Sequence, residues 1–442
     1  MLNFKKYEEA LSGDIQIQGD RDISHLSLIL SSLADGTSKI YNLSETKNIL
    51  NLIDILSQFG VKIQKNNNYW IIEGKGLHNL KEPINVIDVY NSKEILYNLI
   101  GLLSSYNFKV FFKGTNLLSN NIIDDIIGIF KKINVKFDAR EENKLPFLIV
   151  GNKYKSQINY DIFEYNSILK NALLLASLVE TKTNKIKEKE KSKDHLEILM
   201  KYFDINFEEH ELGNKGDLST KIGKEIIING DQKFSGKEIN ISGDTTISAF
   251  IACLAILIPD SNITLKNILM NQYKDSFYRT LIDMGANVNF TNKKISCGEK
   301  VSDINIKYGK LKDTVVPINR TYKMLNEYPF LILLASLSEA KITIQGTSFI
   351  KEKDLKNYDY MLNIIRELGV DYVDLKDNLI ISGKIGNFSK KLTLDENKVN
   401  FNTALALLSF GFFMTNGAVI NSNIIESEFP DIKELLKKLK LS

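Results

Sequence analysis

The chain has 442 residues, 43% of them hydrophobic, and a formal net charge of +3. This length suits two domains of about 200 residues each, while the near-balanced charge excludes the basic surface that nucleic-acid binding requires. The two cysteines indicate no disulfide framework. The first residues lack a signal-peptide core and no apolar stretch reaches the roughly 20 residues that span a bilayer, so we expect a cytoplasmic protein without a membrane partner.

Six long apolar stretches recur along the chain, each after a polar or small-residue turn. They are apolar on nearly every side, which predicts buried helices, and their starts lie about 70–80 residues apart, as in repeated supersecondary units. The stretches are Ile23–Ala34, Asn91–Ser105, Asn166–Val179, Thr245–Ile258, Asn326–Ser338 and Asn400–Met414.

Amphipathic stretches alternate with these apolar ones, and glycines at positions 60, 285 and 369 are placed to end three of them as helix C-caps. The stretches are Leu52–Ile63, Asp124–Phe137, Leu196–Phe207, Tyr278–Phe290, Met361–Val373 and the shorter Ile432–Leu441. Short β-rich runs fill the gaps at Tyr69–Glu73, Val110–Lys113, Ile226–Asn229, Ile342–Gln345 and Leu379–Ser382. The pattern predicts an α/β protein of six βαβαββ repeats, three in each of two lobes.

One segment, Lys182–Lys193, alternates in charge (KTNKIKEKEKSK). Such a run is typical of a solvated face, and we predict a loop or hairpin tip here. Six buried helices that start at turns would also direct unpaired backbone N–H groups toward any ligand at those turns. This predicts an anion site.

The residues at these turns resemble one family. Gln18–Ala34 (QGDRDISHLSLILSSLA) is close to the PGDKSISHRALILAALA opening of 5-enolpyruvylshikimate-3-phosphate (EPSP) synthases. Matches continue in order as NSKEILYNLIGLL at Asn91, NSILKNALLLASL at Asn166, SKDHLEILMKYF at Ser192, SGDTTISAF at Ser242, NEYPFLILLASLSEA at Asn326, KEKDL at Lys351, NFNTALALLSFGF at Asn400 and EFPDIKELLKKL at Glu428. They span essentially the whole chain.

The resemblance implies the two-lobed inside-out α/β barrel of the enolpyruvyl transferases. Residues 1–17 with 242–442 would form lobe 1, residues 18–241 lobe 2, and the active-site cleft would lie between them. The implied reaction transfers the enolpyruvyl group of phosphoenolpyruvate to shikimate 3-phosphate and releases phosphate, as a step of aromatic amino acid biosynthesis. It uses no metal and no organic cofactor, and we expect a monomer.

Site residues follow from the motif positions that the resemblance matches. Those implied to bind substrate are Arg21, Asp22, Asn91, Ser92, Asn166, Ser167, Ser192 and Asn402. Those implied to be catalytic are Asn326, Glu327, Lys351 and Glu352. Lys351 would supply a cation and Glu352 a carboxyl for proton transfer to the methylene carbon. Asn326 stands where the family has a proton-accepting aspartate, and an amide is not a base at neutral pH.

Several of the family's cations are replaced. The family has arginines at positions that are here Leu26, Tyr97 and Leu355, and another in the turn after the Tyr97 motif, where Asn121 stands. Lysines that lie beside motifs and offer compensation are Lys93, Lys170, Lys193, Lys274 and Lys353. Losing a hydrogen-bonded charge from a closed site costs about 2–5 kcal/mol, so three hypotheses stay open: a diverged EPSP synthase, a non-catalytic binding relative, and an enolpyruvyl transferase with another acceptor.

Overall fold

The computed structural model of the chain describes residues 2–4, 6–115, 118, 123–139, 143–152, 156–213, 223–386, 388, 392–394, 399–415, 418–420 and 423–441. Its helices are α1 Arg21–Leu33, α2 Lys47–Gln58, α3 Lys93–Leu103, α4 Asp124–Lys132, α5 Ser167–Leu178, α6 His195–Tyr202, α7 Thr245–Leu257, α8 Ser276–Asp283, α9 Ile318–Thr321, α10 Tyr328–Ser336, α11 Thr347–Glu367, α12 Phe401–Gly411, α13 Asn423–Glu428 and α14 Ile432–Lys438.

The strands are β1 Leu2–Phe4, β2 Ser12–Ile15, β3 Asp35–Tyr41, β4 Lys62–Asn66, β5 Tyr69–Lys75, β6 Ile87–Asp88, β7 Lys109–Lys113, β8 Lys136–Ala139, β9 Phe147–Val150, β10 Asn159–Ile162, β11 Thr183–Glu188, β12 Phe207–Leu212, β13 Gly223–Asn229, β14 Glu238–Asn240, β15 Asn262–Leu269, β16 Asn287–Ser296, β17 Glu299–Lys307, β18 Thr314–Val316, β19 Lys341–Gln345, β20 Asp371–Asp374, β21 Asn378–Ser382, β22 Leu392–Leu394 and β23 Ala418–Ile420.

The sheets repeat one topology. Five have four strands in the orders β14-β3-β5-β4, β6-β7-β9-β8, β10-β11-β13-β12, β2-β15-β17-β16 and β18-β19-β21-β20. In each, the first two strands are parallel and the rest antiparallel, as a βαβαββ unit requires. The sixth has the order β22-β23-β1 among the described residues, with the same parallel first pair. The predicted six repeats are confirmed.

The chain divides into two compact units. Unit 1 comprises Met1–Asp20, Ser44–Thr46 and Ser242–Ser442, and unit 2 comprises Arg21–Leu43 and Lys47–Ile241. Each unit therefore carries three of the repeats. Both units contain strands from distant parts of the chain. In unit 1, β1 and β2 pair with β23 and β15, which follow the whole of unit 2 in sequence; in unit 2, β14 pairs with β3.

Unit 2 is organised around the buried helices α1, α3 and α5. Each is apolar over most of its surface, and their buried leucines and isoleucines form the core. Helices α3 and α5 pack at very short range because Gly101 has no side chain: a Cβ there would lie 2.1 Å from the carbonyl oxygen of Ala172. A polar layer of serines, His25 and Asn98 lies within the same three helices.

Unit 1 has the corresponding helices α7, α10 and α12, whose side chains join one continuous hydrophobic core. Asp244 caps α7 by accepting hydrogen bonds from the backbone N–H groups of Thr246 (2.8 Å) and Ile247 (3.1 Å). Asn400 caps α12 in the same way, through the N–H of Thr403 at 3.0 Å. Asp244 and Asn400, in the polar turns that precede the apolar stretches, thus act as helix N-caps.

Two predictions about local structure have opposite outcomes. Gly60, Gly285 and Gly369 have φ values of +88°, +78° and +71°, so the predicted left-handed C-caps are confirmed. The prediction of a solvated loop at 182–193 is wrong. Residues Thr183–Glu188 form strand β11, whose alternate side chains are buried although several of them are polar. Charge alternation at period 2 therefore reflects two faces of a strand.

No helix within the described residues is both long and apolar enough to cross a membrane. Both cysteines are free thiols; Cys253 is buried in α7 and Cys297 is half-buried.

Candidate functional site

The first turn of α1 in unit 2 carries Arg21 and Asp22, both half-buried. The carboxylate of Asp22 lies 2.8 Å from Nζ of Lys193, with the two side chains 34% and 27% exposed. Asp22 stands where the resemblance implies a serine near a substrate anion. The ammonium group of Lys193, a cation beside this motif, is therefore already paired with the carboxylate of Asp22 from the same protein.

The start of α3 is a polar turn with an unusual charge. Ser92 is buried and caps the helix, accepting a hydrogen bond from the N–H of Ile95 at 3.2 Å. Glu94 follows in the first turn, where a carboxylate is favoured by the helix dipole. Desolvation raises the pKa of Glu94; the charge of Asp22 adds to this effect and that of Lys193 opposes it.

Two further side chains complete this turn. Tyr97, where the family has an arginine, is fully buried and donates its hydroxyl to Asp125 at 2.5 Å. Lys93 lies with Nζ 4.9 Å from the centroid of the Tyr97 ring, a cation–π contact. Asn91 is exposed and accepts a hydrogen bond from Thr115 at 3.1 Å. Tyr97, at a position where the resemblance implies an arginine, is thus held by packing and hydrogen bonding within unit 2.

The start of α5 and the turn before α6 form the third motif of unit 2. Asn166 caps α5 through the N–H of Leu169 at 3.1 Å, and Ser167 is half-buried as the first helical residue. Ser192 is fully buried and donates both its backbone N–H and its hydroxyl to the Glu188 carboxylate. Its hydroxyl is consequently committed to a protein acceptor.

A buried histidine connects α1 with α3. Nδ1 of His25 lies 3.1 Å from the Asn98 side-chain amide. Burial lowers the pKa of His25 to about 4, against the smaller opposing effect of Asp22. The imidazole is therefore neutral at physiological pH and adds no positive charge to the motif.

In unit 1, two of the predicted site residues are brought together. Nδ2 of Asn402 donates to Oδ1 of Asn326 at 3.2 Å, so the side chain at the position of the family's proton acceptor is held by a second amide. Glu327 is buried at the N-cap of α10 and accepts a long hydrogen bond from Thr246 at 3.5 Å. The Glu327 side chain makes no capping hydrogen bond to the backbone of α10.

Lys351 and Glu352 are adjacent in sequence but have different partners. Nζ of Lys351 donates to Asp374 at 2.8 Å and to the carbonyl of Leu375 at 2.7 Å, with the two charged side chains 22% and 29% exposed. Glu352 is 67% exposed and pairs with Lys353 at 2.8 Å. Its hydrogen bond with Lys353 lowers the pKa of the carboxyl, so Glu352 is ionised at neutral pH.

An unpredicted carboxylate organises the turn after Glu352. Asp354 interrupts the helical backbone of α11 (φ −151°, ψ 43°) and accepts hydrogen bonds from Asn357 (2.6 Å), Tyr328 (3.0 Å) and Asn400 (3.1 Å). Desolvation raises the pKa of Asp354, although these donors oppose the shift. Sequence reasoning missed this residue because its partners come from α10 and the start of α12; the KEKDL motif containing it was the available signal.

The compensating lysines predicted from sequence are all engaged within their own unit. Lys170 is fully buried 2.7 Å from Glu197, Lys193 pairs with Asp22, and Lys353 pairs with Glu352. Nζ of Lys274 lies 3.3 Å from Asp20, with both side chains at least nine-tenths buried. The pairs of Lys193, Lys351 and Lys353 are partly exposed, whereas the side chains of Lys170 and Lys274 are more than nine-tenths buried.

Asn121 lies outside the described residues, and Leu355 is 52% exposed at the position of an arginine. Within the described part of the chain, no group of three or more His, Cys, Asp or Glu side chains is placed to hold a metal ion. The roles assigned to the individual site residues stay predictions.

Comparisons with known proteins bear on the whole chain. Residues 5–400 match the family model of EPSP synthase (3-phosphoshikimate 1-carboxyvinyltransferase). The 3-phosphoshikimate 1-carboxyvinyltransferase of Bartonella tribocorum is 30% identical over 97% of this chain and 96% of its own length. That of Pseudomonas sp. strain PG2982 is 28% identical over 98% of this chain and 95% of its own.

Solved structures confirm the fold. The EPSP synthase from Acinetobacter baumannii superimposes with a TM-score of 0.87 at 22% identity, covering 100% of this chain and 98% of its own. The enolpyruvyl transferase NikO from Streptomyces tendae gives a TM-score of 0.70 at 13% identity, covering 100% and 97%. The predicted enolpyruvyl transferase fold is therefore correct.

Proposed function

The chain belongs to the EPSP synthase family, and on that premise we propose that it transfers the enolpyruvyl group of phosphoenolpyruvate to shikimate 3-phosphate, slowly and with weak substrate binding. The products are the enolpyruvyl ether and inorganic phosphate. No cofactor or metal is part of the proposal. We further propose that the enzyme acts in the cytoplasm as a monomer.

The observation that carries this proposal is the partial exposure of two ion pairs. The substrates bring phosphate and carboxylate groups, which need cations. Lys193 and Lys351 are 27% and 22% exposed, and their partners Asp22 and Asp374 are 34% and 29% exposed. Pairs that reach solvent contribute about 0–1 kcal/mol, so exchanging the internal carboxylate for a substrate anion costs little.

Weak binding follows from the same geometry. Lys170 and Lys274 are buried with their carboxylates, and breaking such a pair leaves a charge uncompensated at a cost of roughly 3–5 kcal/mol. They are therefore unavailable to a substrate. The accessible lysines that stand beside the motifs lack the bidentate geometry with which an arginine suits phosphate.

Proton transfer is the slower part of the proposed reaction. Glu352 is 67% exposed and ionised at neutral pH, so it must take up a proton before it can donate one to the methylene carbon, and its lowered pKa makes that protonated form scarce. Asn326 has no basic group to accept the proton of the substrate hydroxyl. The absence of a general base at this position lowers the rate by roughly 10²–10⁴-fold.

A non-catalytic binding role is the second candidate, and the Asn326–Asn402 hydrogen bond favours it. Two amides bonded to each other at 3.2 Å form a neutral pair where the reaction calls for a base. In this alternative the fold is kept to bind a ligand or a partner, and turnover is absent.

Phosphate release from phosphoenolpyruvate in the presence of shikimate 3-phosphate distinguishes these candidates. We expect slow release by the unmodified protein, faster release by Asn326→Asp, and none by Glu352→Gln. Glu339→Gln is the matched control, because Glu339 is 66% exposed, pairs with Lys310 at 3.7 Å and lies beyond the C-terminal end of α10, whereas Asn326 lies before its start; it should leave the rate unchanged. No release from either the unmodified protein or Asn326→Asp, with folding verified by circular dichroism, would favour the non-catalytic role.

A further inference from the structure

Four charged side chains are buried together in unit 2 beneath the loop 189–194. Lys170 comes from α5, Glu188 from the end of β11, Glu197 from α6 and Lys224 from β13, and none of these side chains is more than 9% exposed. Glu197 lies 2.7 Å from both lysines, and Glu188 lies 3.5 and 3.8 Å from them. Lys224 also pairs at 3.4 Å with Glu209, a partly exposed carboxylate at the edge of this buried network.

Stability alone does not account for such a network. Moving charges out of water is costly, and well-packed apolar side chains of similar volume are commonly as stabilising. Burial raises the pKa of Glu197, but the nearby Lys170 and Lys224 outweigh it and hold the value at about 2. Glu197 is therefore ionised at neutral pH, and the distinctive capacity of the network is to make directed, charge-assisted hydrogen bonds.

Those hydrogen bonds reach the loop between β11 and α6. Nζ of Lys170 donates to the carbonyl oxygen of Lys193 at 2.7 Å. The Glu188 carboxylate accepts the backbone N–H of Ser192 at 3.2 Å and also the Ser192 hydroxyl. The network thus holds two consecutive loop residues: Lys193 through its backbone carbonyl, and Ser192 through its backbone N–H and its hydroxyl.

We propose that Lys170 and Glu188 are positioning residues, which hold the loop 189–194 so that the Lys193 ammonium is presented to the anionic group of a ligand. The 2.8 Å contact between Lys193 and Asp22 marks where that anion would sit, since a carboxylate already occupies the position. The identity of the anion as the substrate of the transferase rests on the proposed function; the fixing of the loop does not.

Hydrogen exchange tests the positioning without any ligand. Lys170→Met could leave an unpaired buried carboxylate and fail to fold, so the variant to use is the charge-balanced pair Lys170→Met/Glu197→Gln. We expect the amides of Ser192, Lys193 and Asp194 to exchange at least tenfold faster, while those of the β4–β5 hairpin keep their rates. The matched control removes the exposed pair Lys39–Glu238 (3.0 Å) as Lys39→Met/Glu238→Gln and should change neither set. Unchanged exchange in the folded network variant would overturn the proposal.

Calorimetric titration with shikimate 3-phosphate tests the presentation of Lys193. We expect Lys170→Met/Glu197→Gln to weaken binding at least tenfold when Lys193 is present, and less than twofold in a Lys193→Met background. A general structural effect would weaken binding equally in both backgrounds and would contradict the role assigned to Lys170. If the unmodified protein does not bind this ligand, the proposed function fails, and the exchange experiment still decides whether the loop is held by the network.

Discussion

Replacing Asp22 by serine should increase the affinity of the protein for phosphorylated ligands. The Asp22 carboxylate lies 2.8 Å from Nζ of Lys193 and thereby competes with any incoming anion for that cation. It also repels such an anion directly. Asp22→Ser removes both effects and places at this position the residue type that the EPSP synthase motif has.

The size of the effect follows from the exposure of the pair. Two unit charges about 4 Å apart interact by roughly 4 kcal/mol at an effective dielectric of 20 and by about 1 kcal/mol in bulk water. Exposures of 34% and 27% put this pair near the lower figure once side-chain entropy is included. Together with the lost repulsion, we expect a gain of about 1–2 kcal/mol, which is roughly a 5- to 30-fold tighter Kd.

Isothermal titration of shikimate 3-phosphate at low and high ionic strength measures this gain. The control is Asp161→Ser, because Asp161 in the same unit is 35% exposed and pairs with Lys189 at 3.3 Å. We expect tighter binding for Asp22→Ser alone, and a smaller gain at high salt because screening weakens exposed charges. Equal gains in both variants would show a net-charge effect, and no gain for Asp22→Ser would refute the competition that we infer.

Other predictions concern stability. Gly101→Ala should lower the free energy of unfolding by about 1–3 kcal/mol, since the new Cβ would meet the Ala172 carbonyl oxygen at 2.1 Å. Gly128→Ala, in open space on α4, should raise the free energy of unfolding by up to about 1 kcal/mol. Equal effects of the two substitutions in chemical denaturation would contradict the close packing of α3 against α5. Ser92→Ala should lower the free energy of unfolding by about 1 kcal/mol because it removes the α3 cap, while Ser92→Asn should keep most of that stability. Burial lowers the pKa of His25 from 6.5 to about 4 in the folded protein. As the pH falls, His25 is therefore protonated in the unfolded chain before it is protonated in the folded one. Stability should therefore fall by up to about 3 kcal/mol as pH drops from 6.5 toward 4, and a similar pH slope in His25→Gln would contradict this.

The repeat and the buried helices could be predicted from sequence because they depend on periodicity. Stretches such as Asn166–Val179 are apolar on all sides, and the structure buries them as helix α5. The glycine C-caps follow from backbone freedom, which is also a local property. Family membership was equally accessible, since the motifs occur in order along the chain.

The charge pairing could not be predicted, because it depends on partners from distant elements. Lys170 looks like an accessible cation beside a motif, yet it is buried against Glu197 from α6, which also pairs with Lys224 from β13. The charged run 182–193 contains a strand whose inward glutamate, Glu188, is neutralised by the same lysines. Charge in a sequence therefore does not reveal whether a side chain serves a ligand or another part of the fold.

Direct observation of the product tests the central claim, which is that this chain transfers an enolpyruvyl group despite its replaced cations. Phosphoenolpyruvate and shikimate 3-phosphate are incubated with the protein for hours, and the ³¹P NMR spectrum and product mass are followed. We predict slow growth of inorganic phosphate together with an equal amount of the enolpyruvyl adduct, both lost in Glu352→Gln. Unchanged substrates after incubation with folded Asn326→Asp would contradict the account.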